Sequence, residues 1–147
     1  VNATKRIATP AQLELQGQAG GGVKSLYDIY TISADTASGD IIEMSKIPHG
    51  ARVVDARIVF TDLDCSGGTI DVGWEVGAAA TEAADTDGLL ADVDVTSAGS
   101  ISSFEDQSSR PGQAKVFAEP VQAIITLDGD CDATSGTISL EILYVID

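Results

Sequence analysis

From Ser25 onward, apolar and polar residues alternate with a period of two, and the alternation marks out a series of β-strands. "SLYDIYTIS" sets Leu26, Tyr30 and Ile32 on one face, and "DIIEMSKI" forms a short second strand after the turn-rich "ADTASGD". "ARVVDARIVF" places Val54, Ala56, Ile58 and Phe60 on one side and Val53, Asp55, Arg57 and Val59 on the other. The alternation is cleanest in "GTIDVGWEV": Ile70, Val72, Trp74 and Val76 face inward, Thr69, Asp71, Gly73 and Glu75 outward. "QAKVFAEP", limited by Pro111 and Pro120, reads as another short strand. "VQAIITLD" carries Val121, Ala123, Ile125 and Leu127 on one side, and "GTISLEILYVI" carries Ile138, Leu140, Ile142, Tyr144 and Ile146. No comparably long stretch repeats at helical spacing, so the chain reads as an all-β, antiparallel β-sandwich spanning residues 25–147.

Residues 77–113 are harder to place, being small, acidic and polar. A structureless loop of that length is improbable in a compact domain. The expectation is one helical turn near residues 87–91, capped by Asp87, and an edge strand near residues 93–101. Two other stretches echo each other. "RIVFTDLDCSGGTIDVGWEV" and "QAIITLDGDCDATSGTISLEIL" both read as strand, acidic loop with one cysteine, Gly-Thr-Ile and strand. They predict two similar hairpins whose loops lie side by side at one end of the sandwich.

Residues 1–24 break the pattern. Gly17, Gly20, Gly21 and Gly22 make the end of this segment flexible unless something holds it, so it reads as an arm. Within it, "TPAQLEL" alternates Leu13 and Leu15 and suits an extended piece. Charge sharpens the division. The 147-residue chain carries a net charge of −15, yet residues 1–24 hold Lys5, Arg6 and Lys24 against Glu14 alone. An arm opposite in charge to its body, with two apolar anchors, suits docking, and Lys5, Arg6, Leu13, Leu15 and Lys24 are its candidate contacts. The acidic body would be repelled by phosphate backbones, which argues against nucleic acid as a partner. No apolar run approaches the length of a membrane span, and nothing reads as a secretory signal.

Candidate chemistry is sparse. The single histidine, His49, lies between Pro48 and Gly50, where a turn is expected, and no motif supplies it with a nucleophile or an orienting partner. No nucleophile elbow, phosphate loop or zinc-protease motif occurs. Cys65 and Cys131 belong to no Cys-x-x-Cys pair; free thiols are expected, with a disulfide between neighbouring loops as the alternative. Asp62 and Asp64 flank one cysteine, and Asp128, Asp130 and Asp132 flank or neighbour the other. Alternating aspartates offer the oxygens calcium favours, but "DGDCD" lacks the later glutamate of an EF-hand loop, and acidic loops also serve solubility. The expectation is no metal and no cofactor, these five aspartates being the ones that would hold calcium. Trp74, among aliphatic neighbours on its strand face, reads as core.

"TASGDIIEMSKIPHGARVVDARIVFTDLD", followed by "GTIDVGWEV" and "TDGLLADVDVTSAG", resembles the head decoration, or cement, proteins of tailed phages, particularly marine and cyanobacterial ones. The shared pattern is a Gly-Asp strand, an Ile-Pro turn, a long aliphatic strand, a Thr-hydrophobic-Asp strand and an acidic Gly-Leu segment, over roughly half the chain. The resemblance implies a jelly-roll-like sandwich that assembles as a homotrimer on the capsid surface, with the major capsid protein as partner. It implies a virion component, assembled in the host cytoplasm, without enzymatic activity. It carries over no functional residue set. A head-fibre or adhesin sandwich that binds host glycans is the competing reading.

Overall fold

The computed structural model describes residues 5–7, 22–33, 36–63, 67–105, 111–128 and 135–146. They form nine strands: β1 (Lys5–Ile7), β2 (Lys24–Ile32), β3 (Ile41–Ile47), β4 (Ala51–Phe60), β5 (Thr69–Glu75), β6 (Asp85–Asp94), β7 (Gly99–Ser102), β8 (Val121–Asp128) and β9 (Gly136–Ile146). One sheet has the order β1-β3-β8-β5-β6 and the other β2-β9-β4-β7. No helix occurs among the described residues, and hence none long and apolar enough to cross a membrane.

The pairing is nested. β2 pairs with β9, β3 with β8, β4 with β7 and β5 with β6, all antiparallel, as if one long hairpin had been rolled up. That is the arrangement of an eight-stranded jelly roll. β1 adds a short parallel strand to the free edge of β3, with Lys5 opposite Ile41 and Ile7 opposite Glu43.

The expected pair of hairpins is not what forms. β4 and β5 lie in different sheets, and so do β8 and β9, so both echoing segments cross from one sheet to the other. A local pattern of strand, loop and strand does not distinguish a hairpin from a crossing; the long-range nesting decides. The expectation that both segments turn at one end does hold for the residues flanking the loops. Thr61 N–H donates to Thr137 O at 3.0 Å where β4 ends and β9 begins, and Thr69 stands opposite Asp128 where β8 ends and β5 begins.

The core lies between the sheets. Leu26, Tyr30 and Ile32 of β2 meet Ile70, Val72 and Trp74 of β5, Ala123, Ile125 and Leu127 of β8, and Ile138, Leu140, Ile142 and Tyr144 of β9, the alternation anticipated for each strand. Ile146 keeps the phase but is exposed beyond the core. In β4 the phase changes midway. Val53 faces Tyr144 and Asp55 faces Leu143, leaving Val54 as an extra residue. This bulge turns Ala51 and Val53 inward ahead of Ala56, Ile58 and Phe60, and leaves Val54 half-buried. Val53 is therefore core, not the outward residue that strict alternation implies.

Residues 85–94 form a strand where a helical turn capped by Asp87 was expected. Ile70 pairs with Val93, Val72 with Leu90 and Trp74 with Asp85, so β6 carries extra residues at two places. Asp92, with φ of 52°, makes the first bulge. The bulges bring Gly88, Leu89 and Leu90 into the interior together, a clustering that reads as helical in sequence. The edge-strand expectation for residues 93–101 is met in part, by the end of β6 and by β7 at the border of the other sheet. "QAKVFAEP" makes only an isolated bridge, Arg52 to Val116. Ala114, at φ of 58°, breaks the extended run, although Phe117 N–H still donates to Ala51 O of β4, its carbonyl accepts from Gly50 N–H in the preceding turn, and its ring fills the core. Its ring stands edge-on to Trp74, centroids 5.0 Å apart, and the Trp74 indole N–H donates to Ala83 O at 2.9 Å.

Candidate functional site

His49 sits exposed in the turn between β3 and β4, and Gly50 completes that turn with φ of 77°. Its Nδ1 donates to the carbonyl of Ala118 at 2.6 Å, tying the turn to the segment before β8. The histidine is exposed at the turn, as the turn reading anticipates, and the bond to Ala118 gives it a structural partner that the sequence did not reveal. Nearby, Thr81 donates to Glu119, and Lys115 pairs with Glu82 at 3.0 Å. The Ala118 N–H and then Lys115 hold the Glu82 carboxyl below its ordinary range.

Of the five loop aspartates, Asp62 and Asp128 are exposed at the crossing end, while Asp64, Asp130 and Asp132 lie outside the described residues, as do Cys65 and Cys131. Among the described residues, no three His, Cys, Asp or Glu side chains gather in a way that could hold a metal ion. Of the arm residues, Leu13 and Leu15 lie outside the described residues, the Lys5–Ile7 backbone pairs with β3, and Lys24 is the first residue of β2.

The outer faces of the two sheets differ in character. Register and alternation place Glu43, Asp71, Glu75 and Asp128 on the outside of the five-stranded sheet, with Asp92 beside them. Burial pushes the Asp71 carboxyl above its ordinary range, and the neighbouring Asp92, Asp87 and Asp128 carboxylates add to the rise. The Asp92 N–H, donating to Asp71 Oδ1 at 2.8 Å, partly offsets it. A shallow depression of about 300 Å³ lies on this side, walled in part by Glu43, Lys46, Glu75 and Gln122. Two carboxylates, one ammonium and one amide thus give the depression a polar, net acidic wall. The outside of the four-stranded sheet is closer to neutral. Tyr27, Glu141, Arg57 and Ser102 form one row across it, and Ile29, Ser139, Val59 and Ser100 the next. Ile29 and Val59 are exposed there.

Two features escaped sequence reasoning. Asp28 lies in phase with Leu26 and Tyr30 and is buried, 1 % exposed, on the core side of β2. Ser45 Oγ donates to its Oδ2, while Oδ1 has no partner among the described residues. The phase of the strand was the available signal. Both side chains are buried, so the pair meets no substrate and acts within the fold. The second feature is Phe104, the most exposed of the large apolar side chains described, in the serine- and acid-rich "SISSFEDQSS".

No protein-family model matches the chain, and no curated protein matches it. Solved structures do share its fold. A chain from the capsid of Ralstonia phage GP4 aligns with a TM-score of 0.72 and 22% identity, over 98% of this chain and 99% of that one. A chain from the capsid asymmetric unit of cyanophage Pam1 aligns with a TM-score of 0.63 and 16% identity, over 95% of this chain and 100% of that one. At these identities the likeness is one of fold, and it extends over essentially the whole length of each chain.

Proposed function

We propose that this chain is a virion structural protein, a decoration or cement protein that seats on the outer surface of a phage head and stabilises it. The observation that carries this reading is the end-to-end likeness of the fold to a chain of the Ralstonia phage GP4 capsid. A match that leaves almost no residue of either chain unaligned supports a shared structural unit, not a common module embedded in unrelated proteins. The sequence resemblance to decoration proteins points the same way. So does the character of the surface: a charged outer face on one sheet and a near-neutral one on the other suit a protein that shows water one side and a partner the other.

In this reading the chain works by binding and needs neither catalysis nor cofactor. Three copies associate on the shell, and each bridges neighbouring major capsid protein subunits through many small contacts. Residues 1–24 form an arm, joined to the sandwich through the β1 pairing and through Lys24 of β2, whose Lys5, Arg6, Leu13, Leu15 and Lys24 contribute to that attachment. The protein is assembled onto heads in the host cytoplasm and remains on the virion. The test is co-sedimentation of the purified protein with purified heads that lack it, together with light scattering of the free protein. Saturable binding to heads and a mass of about three chains are expected. Failure to bind heads, coupled with binding to host glycans, would move the chain to the adhesin class.

A further inference from the structure

The turn that follows β7 holds an aromatic ring in water. Phe104 is 74 % exposed, while the residue before it, Ser103, is 1 % exposed. Six hydrogen bonds fix the turn. Ser103 N–H donates to Ala56 O at 2.8 Å, and Ser103 Oγ accepts from Ala56 N–H at 3.1 Å and donates to Asp55 Oδ1 at 2.6 Å. The Gln113 side-chain amide donates to Ser103 O at 2.6 Å. Ser102 N–H donates to Glu105 Oε2 at 2.8 Å, and Glu105 N–H donates to Ser102 O at 3.0 Å. Ser103 thus has its amide, its carbonyl and both roles of its hydroxyl engaged inside the protein. Phe104, held on either side, is kept out of the core.

The position of the turn also matters. β7 covers the free side of β4 from Arg57 to Phe60, and residues 114–117 cover it around Ala51 and Val53. Phe104 leaves the sandwich in the gap between them, at the edge of the four-stranded sheet whose outer face exposes Val59 opposite Ser100. A rigidly presented aromatic loses little freedom on binding, which is the property of an interface anchor. Its surroundings define the complement. Glu105 follows it, Asp55 lies beside the turn and Arg57 stands opposite Ser102, while residues 25–147 as a whole are strongly acidic. A second copy would bring the same net negative charge to this corner, whereas an apolar pocket with a basic rim would match both the ring and the acidic body that carries it.

We propose that Phe104 is the anchor by which this protein engages an apolar, basic-rimmed pocket on the shell subunit of the head. The inference rests on the proposed function. The test compares the full-length chain with Phe104→Ala and Phe104→Trp for binding to purified heads that lack the protein, with melting curves and light scattering for each. Phe104→Ala is expected to weaken head binding by at least about 30-fold at an unchanged melting temperature. Phe104→Trp should bind within a few-fold of the parent. If the parent binds and Phe104→Ala binds equally, the anchor is wrong and the decoration reading stands. If the parent does not bind heads at all, both fail. A melting temperature several degrees lower for Phe104→Ala would make the ring a structural residue and overturn the proposal. Loss of self-association with unchanged head binding per chain would assign the ring to a second copy instead, and would also overturn it.

Discussion

Replacing Ser103 with alanine removes one oxygen from the interior and tests how the free side of β4 just beyond its bulge is held. That oxygen accepts the N–H of Ala56, a fully buried residue, and donates to Asp55. Without it, the Ala56 amide faces neither β9 nor water, and a buried donor without a partner costs about 1–3 kcal/mol. The Asp55 carboxylate is only partly buried and can recover water, so its loss adds less. The expected destabilisation is about 2 kcal/mol, which for a domain of this size lowers Tm by roughly 4–8 °C. Urea denaturation should show a lower midpoint at an unchanged slope, since the surface exposed on unfolding stays the same. Asp55→Asn, which keeps an acceptor in place, should lose less than Ser103→Ala. A Ser103→Ala protein within about 0.5 kcal/mol of the parent, the range of ordinary surface changes, would refute the claim that this hydroxyl satisfies the buried Ala56 amide.

Gly73→Ala should destabilise by about 1–3 kcal/mol or more in urea denaturation, because the added methyl collides with the backbone of Asp85 and Thr86 and β5 must part from β6. Asp71→Asn should raise Tm at neutral pH. The folded protein holds the Asp71 proton more tightly than the unfolded chain, so stability falls as pH rises from the ordinary value of 3.8 through the raised one. The advantage of the asparagine should therefore shrink as pH is lowered through that window; an advantage that persists below it would contradict the assignment. Deleting residues 1–22 should leave a cooperative melting transition, because only the three-residue β1 pairing is lost from the described strands. In the same variant, head binding should weaken; equal binding would show that the arm is not an anchor.

Much of the strand content can be read from local alternation, because one face of each strand is buried and the other wet. β2, β5, β8 and β9 show it directly. What alternation does not carry is the extra residue. Val54 shifts the phase of β4, and the bulges of β6 gather Leu89 and Leu90 into a spacing that mimics a helix. The strand order was beyond local reasoning, since a strand-loop-strand segment has the same composition whether it folds back or crosses over. Phe104 was passed over for a similar reason: an exposed aromatic in a polar loop looks accidental until the bonds around Ser103 are seen. His49 and Trp74 were legible because their immediate neighbours, a proline and glycine in one case and aliphatic residues in the other, determine their settings.

The nested pairing also constrains how the chain reaches its folded state. β5 and β6 are close in sequence and can meet early, but Lys24 must find Tyr144 across most of the chain. Each doubling of such a loop adds only about 0.6 kcal/mol of closure entropy, yet the search is long, and topologies dominated by distant pairings fold in roughly milliseconds to seconds. β9 fills the gap between β2 and β4. Until a ribosome has delivered it, the four-stranded sheet has a missing middle strand, and the apolar faces of β2 and β4 have nowhere to close. Folding of this sandwich therefore waits for β9, and the unfinished chain depends on its acidic side chains to keep it from aggregating in the meantime.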